Sequence, residues 1–322
     1  MARRKNQISF ENVVVENYDL EDGELSWEDA VQSFIADRRL RNLSEHTIDS
    51  YKNKLKYFML HLDEIKLEAR PQKITYHDIK AVMTSLLGRN VTIEGVNSEL
   101  RAVRAFFNFL EEEGLVRDNP VRRLKLLKQE KKIVMTFTRE EIVKMLGKTK
   151  KKTFTGFRDY VLMLFMLETG VRVRELCDIT MDDIIWREGL VKIHGKNGEE
   201  RYVPIQETMK RELDKYVQFR GKLPTDYLWV TIDGVQLSRR MVQQQVQYYG
   251  KLAGVRKEVR CSPHTFRHTF AKLSVENGAN LFALQQVLGH KSLEMVRRYV
   301  QMFSRDVSKD HAKFSPLKSL LT

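Results

Sequence analysis

The chain has 322 residues, of which 42% are hydrophobic, and a formal net charge of +13 at neutral pH. This length favours two domains over a single core, and no run of about 18 apolar residues exists that could cross a membrane. The first residues lead into polar sequence without a signal-peptide core, so we expect a cytoplasmic protein. Two distant cysteines, Cys177 and Cys261, match no metal-ligand spacing and predict reduced thiols.

The positive charge is distributed unevenly. Residues 6–29 hold eight acidic residues and no lysine or arginine, so the net charge of +13 combines −8 there with +21 elsewhere. A body this basic indicates a polyanionic partner, although a basic surface also serves solubility alone. Residues 1–24 lack a helical period, and we interpret them as an acidic, flexible arm. It is either a solvated tail or a segment that competes with the partner.

Residues 25–118 carry four predicted helices and no strand pattern. Apolar side chains recur at helical spacing after Trp27, after the capping residues Ser44 and Thr75, and from Val96 to a stop at Gly114. These positions predict a small helical domain. Basic residues expected to be exposed near the first two helices are candidates for phosphate contacts, or else solvated charges: Arg38, Arg39, Arg41, Lys52, Lys54 and Lys56.

Residues 119–136 lose the helical spacing and predict an interdomain linker. Between Val121 and Lys132 the sequence has six basic residues and one acid. Arg122 and Arg123 are therefore further candidates for phosphate contacts. A basic linker would let two domains close around a polyanion, with a salt dependence that grows with each neutralised phosphate.

The second domain is predicted over residues 137–322. Thr138 begins a capping box, and a helix over residues 157–167 is apolar nearly all round and so should be buried. Beyond it, the sequence ETGVRVREL places Arg172 at the turn into another helix. Glu175 follows one turn later, where an acid is ordinarily a solvated surface residue.

A β-hairpin is predicted from residues 190–194 and 201–205 around an Asn-Gly turn. Lys196 lies at the predicted tip. Taken alone, a lysine in such a turn is usually a solubility feature.

A helix is predicted over residues 239–252, capped by Ser238. It presents arginine and glutamine side chains, the types that read base edges in a DNA major groove. The candidates are Arg239, Arg240, Gln243 and Gln244.

Residues 263–299 contain four side chains that could meet at one phosphate. If Pro263 opens a helix, His264 and Arg267 share one face. A helix over residues 281–288 should end at Gly289, which places His290 in a tight corner. Ser292 is a candidate N-cap for a helix that carries Tyr299.

Arginine supplies a planar fork for a phosphodiester, and tyrosine supplies an oxygen nucleophile. Two competing interpretations apply to these residues. Tyr299 also fits an apolar core stripe with Val296 and Phe303. His264 and His268 have metal-ligand spacing, but Arg267 between them would repel a cation, so no metal site is predicted.

The motifs together resemble the tyrosine recombinase, or phage integrase, family over roughly residues 26–305. His-x-x-Arg, then Gly-His, then a tyrosine nine residues later is similar to its C-terminal signature. The arginine motif ETGVRVREL and the lysine motif GKNGEERYVPI are similar to its upstream pieces. The resemblance implies six catalytic residues: Arg172, Lys196, His264, Arg267, His290 and Tyr299. It also implies that Glu175 orients an arginine, the alternative being an ordinary surface acid.

The resemblance implies an α+β fold, mainly helical with a small β-hairpin. A helical N-terminal DNA-binding domain would precede the catalytic domain. The implied reaction is attack of Tyr299 on a DNA phosphate, which forms a 3′-phosphotyrosyl bond and frees a 5′-hydroxyl, without a cofactor. The implied partners are double-stranded DNA and a homotetramer on two duplexes, with accessory DNA-bending proteins left open. A C-terminal tail at residues 314–321 would pack on its own domain or on a neighbouring protomer.

Two other functions use the same scaffold. A DNA-binding regulator would bind DNA but exchange no strands, and an intact set of six catalytic residues argues against it. A relaxing topoisomerase would remove supercoils without recombinant products. The target sequence and the biological setting, including integration by a mobile element, are not encoded in any motif of the chain.

Overall fold

A computed structural model describes residues 25–67, 70–129, 134–195 and 198–289. Its contacts divide the chain into two units, Met1–Lys131 and Lys132–Thr322. The described parts are mostly helical, with one three-stranded antiparallel sheet, so the predicted fold class is confirmed. Within these ranges no helix is both long enough and apolar enough to cross a membrane.

The first unit packs four helices around an aromatic core. They are α1 (Trp27–Leu40), α2 (Glu45–Glu64), α3 (Tyr76–Gly88) and α4 (Ile93–Glu112). Helix α4 begins earlier than predicted because the side chain of Thr92 accepts the N–H of Gly95 and caps it. Phe106 is fully buried, with its ring centroid 5.0 Å from that of Trp27 and 5.6 Å from that of Phe34. The helical stripes identified in the sequence therefore form this core.

Arg38 is not the exposed residue that the sequence predicted. Its side chain is 14% exposed, its Nε lies 3.1 Å from Asp37, and its guanidinium carbon sits 4.7 Å from the Phe34 ring centroid. Arginine hydrocarbon and a planar guanidinium pack readily on an aromatic face, which explains the burial.

Part of the predicted linker is packed on the first unit. Val121 and Leu124 are buried in the core of that unit. Asn97 donates to the carbonyl of Leu127 at 2.9 Å and accepts its N–H at 2.8 Å. Apolar residues between the basic ones thus fix the segment, and their spacing is too irregular to predict a helix. The predicted boundary at residue 136 stays a prediction.

The second unit carries the sheet and the remaining helices. Its elements are α5 (Arg139–Gly147), α6 (Phe154–Thr169), α7 (Val173–Asp178), β1 (Ile184–Ile185), β2 (Leu190–His194), β3 (Glu200–Pro204), α8 (Glu207–Arg220), α9 (Arg239–Leu252), α10 (Pro263–Glu276) and α11 (Leu281–Leu288). The predicted hairpin is formed by β2 and β3, with Ile193 opposite Arg201. Strand β1 was not predicted because it has only two residues. Helix α8 was also missed.

The end of α6 places the functional residues that follow it. Gly170 ends this helix in the left-handed conformation, at φ 59°. A Cβ atom there would lie 2.3 Å from Cδ1 of Phe270, so only glycine fits between α6 and α10. The close approach brings Arg172, two residues later, toward α10.

Candidate active site

Three arginines from distant parts of the second unit meet at the C-terminal end of α11. Each donates to one of three consecutive carbonyls: Arg201 Nε to Val287 at 2.9 Å, Arg267 Nη2 to Leu288 at 2.7 Å, and Arg172 Nη2 to Gly289 at 3.3 Å. The last carbonyls of a helix lack intrahelical partners and carry partial negative charge, so cations are stabilised there. One short helix therefore gathers three guanidinium groups.

Helix α10 supplies His264 and Arg267, as predicted from Pro263. Ser262 caps the helix by accepting the N–H of Thr265, and Pro263 occupies its first turn. Arg267 is only 5% exposed, and its Nη1 donates to the carbonyl of Gly170 at 2.7 Å. This one side chain therefore joins the end of α6 to the end of α11.

Glu175 is the buried counter-ion of the cluster. Its carboxylate accepts four hydrogen bonds: from the backbone N–H of Arg172 at 2.8 Å, from Arg172 Nη1 at 2.8 Å, from Arg201 Nη1 at 3.1 Å and from Arg201 Nη2 at 2.8 Å. Burial alone would raise the pKa of Glu175, but the hydrogen bonds and charges of Arg201 and Arg172 lower it below its usual range. The carboxylate is therefore charged at neutral pH.

The exposure of these side chains differs. Glu175 is 6% exposed and Arg201 is 15% exposed, whereas Arg172 is 41% exposed. Arg172 is thus held at one end by a buried carboxylate and a helix terminus, while part of it faces an open groove. A guanidinium has five N–H donors, and a partly exposed one can bind an added anion as well.

The groove beside Arg172 is open and basic, with a volume of about 600 Å³. Its described lining consists of Arg172, Val173, Arg174, Ser238, Arg239, Arg240, Gln243 and His264. The first turns of α7, α9 and α10 contribute these residues. Helix N-termini carry partial positive charge, so they add to the attraction for an anion.

His264 is held in its neutral form by its surroundings. Partial burial of the imidazole lowers its pKa, and the neighbouring charges of Arg267, Arg260 and Arg172 lower it further. His268, one turn later, has its pKa lowered to about 4 by burial, by His264 and by Arg267. A neutral imidazole next to Arg172 can accept a proton near neutral pH.

The structure brings together three of the six predicted catalytic residues. Arg172 and Arg267 contact adjacent carbonyls at the C-terminal end of α11, and His264 lines the same groove as Arg172. The other three, Lys196, His290 and Tyr299, lie outside the described residues, as do Ser292, the acidic arm and the C-terminal tail.

The predicted base-reading residues are exposed on α9. Arg239, Arg240 and Gln243 line the groove, whereas Gln244 does not. Of the phosphate-contact candidates in the first unit, Arg39 lies 3.6 Å from Glu45 and Arg41 lies 3.0 Å from Asp37. Arg122 is paired with Glu111, whereas Lys52 and Arg123 are exposed.

Arg201 was not singled out in the sequence. The signal that could have found it is the alternation of β3, in which Arg201 and Val203 point to the same face. The partners of these two residues across the hairpin, Ile193 and Val191, are fully buried. An arginine on an otherwise buried strand face needs a carboxylate, and Glu175 is that carboxylate.

Fold and site together define a two-domain protein whose second unit carries a cluster of three arginines beside an open, basic groove. Residues 135–305 match the model of the phage integrase family, and residues 32–114 match the phage integrase N-terminal SAM-like domain. The chain belongs to the phage integrase family, the tyrosine recombinases, enzymes that cleave and rejoin DNA through a tyrosine intermediate.

Three relatives illustrate the match. Tyrosine recombinase XerD of Staphylococcus haemolyticus is 30% identical over 86% of this chain and 94% of its own length. Tyrosine recombinase XerC of Thermodesulfovibrio yellowstonii is 31% identical over 85% of this chain and 91% of its own. A lambda integrase tetramer bound to a Holliday junction shares the fold, with a TM-score of 0.74, 20% identity, and coverage of 89% of this chain and 80% of that one. The predicted family and reaction type are thereby confirmed.

Proposed function

We propose that this chain is a site-specific DNA recombinase in which Tyr299 is the nucleophile. The phenol oxygen of Tyr299 attacks a backbone phosphorus and forms a 3′-phosphotyrosyl bond, while the bond to the 5′-oxygen breaks. The 5′-hydroxyl of another strand then attacks this link, which re-forms a phosphodiester and returns the proton to the tyrosine. The energy of the broken bond is kept in the covalent link.

The observation that carries the proposal is the convergence of Arg172 and Arg267 on adjacent carbonyls at the C-terminal end of α11, those of Gly289 and Leu288. Negative charge develops on the phosphoryl oxygens in the transition state, and fixed guanidinium groups stabilise it without reorganisation. The next residue in the chain is His290, the predicted third donor. Contacts within the chain therefore hold these two guanidinium groups close together.

The two remaining groups would handle protons. His264, neutral at neutral pH because of burial and the surrounding arginines, would accept the proton of Tyr299 or donate a further hydrogen bond. Lys196 would protonate the leaving 5′-oxygen as the general acid. Glu175 would keep Arg172 oriented toward the phosphate.

Double-stranded DNA is the proposed partner. The groove lined by Arg172, Arg239, Arg240, Gln243 and His264 supports this proposal, because its arginines would contact phosphates and Gln243 would read base edges. Arg39, Arg41, Lys52, Arg122 and Arg123 are the proposed phosphate contacts outside it, whereas the burial of Arg38 against Phe34 removes it from this set. A homotetramer on two duplexes is the proposed assembly, by analogy with the lambda integrase tetramer bound to a Holliday junction, which shares the fold.

The test uses a pool of nicked duplexes with a randomised target region. A nick near the cleaved phosphate lets the short 5′-hydroxyl strand diffuse away, so a covalent adduct accumulates and survives denaturation. We expect the wild-type protein to form the adduct and Tyr299→Phe to form none. Tyr57→Phe, an exposed tyrosine in the first unit, serves as the matched control and should match the wild type.

Each other outcome has a definite meaning. Equal adduct in the wild type and in Tyr299→Phe would remove Tyr299 from the mechanism. Enrichment of particular sequences without any adduct would favour a DNA-binding regulator. Loss of supercoils without recombinant products would indicate a topoisomerase.

A further inference from the structure

We infer that Arg201 is a positioning residue that aligns the β2–β3 hairpin with Arg172 and with the end of α11. The inference rests on the proposed function, because it assigns Arg201 a role in that reaction. Arg201 lies on β3, just after the segment that carries Lys196. It is largely buried at 15% exposure, so its role does not require contact with DNA.

Arg201 uses three different nitrogen atoms to hold two other elements. Its Nη1 and Nη2 form a bidentate fork on the two oxygens of Glu175, at 3.1 and 2.8 Å. Its Nε donates to the carbonyl of Val287 at 2.9 Å. Because guanidinium is planar, these three bonds fix the direction of the group as well as its distance. Glu175 in turn holds Arg172 through two bonds.

Gly289 closes the arrangement. A Cβ atom on Gly289 would lie 3.0 Å from Nη1 of Arg201 and 3.1 Å from its Cζ, so the guanidinium packs directly against the backbone that leads into His290. Gly289 has φ 61°, a conformation that also favours glycine. Arg201 is thus in contact with the backbone on one side and with Glu175 on the other. A shift of the hairpin would therefore change the placement of both phosphate-binding motifs.

The chain contains a chemically similar arrangement away from the groove, in which the arginine is more exposed, at 44% for Arg256 against 15% for Arg201. Arg256 forks on Glu141, with Nε 2.8 Å from one oxygen and Nη2 3.2 Å from the other, and donates to the carbonyl of Thr136. Glu141 also accepts the N–H of the capping residue Thr138. This arginine has the same chemistry as Arg201 but lies outside the described groove lining. Arg256→Gln is therefore the control for a purely structural loss.

The experiment compares Arg201→Gln, Arg201→Lys and Arg256→Gln in the full chain. A nicked duplex selected by the wild-type protein from the randomised pool is the substrate. Single-turnover adduct formation gives the cleavage rate, titration gives the affinity for the same DNA, and hydrogen exchange in α7 and α11 reports folding. We expect Arg201→Gln to bind DNA within about twofold of the wild type and to cleave at least about tenfold more slowly, because misplacement of reacting groups slows the chemical step.

Arg201→Lys should stay slow, since one ammonium group cannot make a planar fork and a third bond. Arg256→Gln should cleave within about twofold of the wild type. The pH profile gives a second readout. Without Arg201, only Arg172 opposes the effect of burial on Glu175, so the pKa of Glu175 should be higher than in the wild type. The rate of Arg201→Gln should then fall as the pH is lowered through a range where the wild-type rate stays level.

Failure of the proposed recombinase function and failure of the proposed role of Arg201 give different results in this experiment. No adduct with the wild-type protein would reject the proposed recombinase function itself. With an active wild type, a cleavage rate for Arg201→Gln equal to that of Arg256→Gln would overturn the role of Arg201. Wild-type cleavage by Arg201→Lys would overturn the requirement for the fork. Loss of protection in α7 and α11 together with loss of DNA affinity would reduce Arg201 to a folding role and also overturn the inference.

Discussion

Replacing Glu175 by glutamine tests the buried arginine cluster through its stability. The carboxylate accepts four hydrogen bonds, two on each oxygen. Glutamine keeps one acceptor oxygen and places an NH₂ group against the other two donors. Two charge-assisted hydrogen bonds are lost, at about 1.5–3 kcal/mol each, and Arg201 keeps an unpaired buried charge. Water reaches the more exposed Arg172, so we expect a loss of about 3–5 kcal/mol in the free energy of unfolding.

The pH dependence follows from the lowered pKa of Glu175. A group whose pKa is lower in the folded than in the unfolded state stabilises the fold above its unfolded value, about 4.3 for glutamate. That contribution is lost as the pH falls through the folded pKa. The difference between wild type and Glu175→Gln should therefore be largest at neutral pH and should shrink in acid.

The assay is urea unfolding of the full chain, followed by hydrogen exchange in peptides from α7 and α11 so that the second unit is observed separately. Glu188→Gln changes an exposed glutamate of the same unit and should lie within about 0.5 kcal/mol of the wild type. Equal unfolding free energies for the two variants, or a difference that does not decrease at low pH, would refute the account of Glu175.

Three further predictions concern packing, backbone and charge. Phe106→Ala should lower the unfolding free energy of the first unit by about 3–5 kcal/mol in the same assay, whereas the exposed Tyr57→Ala should have little effect. Gly170→Ala should destabilise the second unit more than Gly254→Ala in thermal unfolding, because both have positive φ but only Gly170 has a close neighbour, Phe270. Arg239→Gln should reduce the slope of log affinity against log salt for the selected duplex by about 1, and an unchanged slope would exclude a phosphate contact there.

Much of the local structure was predictable because the relevant interactions are short in sequence. The capping boxes at Thr75 and Thr138 are present, with Asp78 and Glu141 as their partners. Helix α9 spans the predicted residues, and α11 ends at Gly289. Caps, helical periods and hairpin turns depend on residues only a few positions apart, so a single sequence contains them.

Errors arose where packing overrode the pattern. Apolar residues inside the basic segment after residue 119 reach the first core, so that segment is not simply a linker. Arg38 is covered by Phe34 because a guanidinium can pack on a ring, and charge alone does not reveal that contact.

Helix α8 is a different kind of omission. It buries Met209, Leu213 and Tyr216 at helical spacing, so the signal that predicts it was present in the sequence.

The sequence by itself determined the family, the helical character of both units and the order of the motifs, because these depend on residue types and their spacing. Only the tertiary structure decided that Arg172, Arg201 and Arg267 meet at three consecutive carbonyls at the C-terminal end of α11. That meeting depends on the close contact at Gly170 and on a helix terminus whose carbonyls lack partners. Both are properties of packing between elements far apart in the chain.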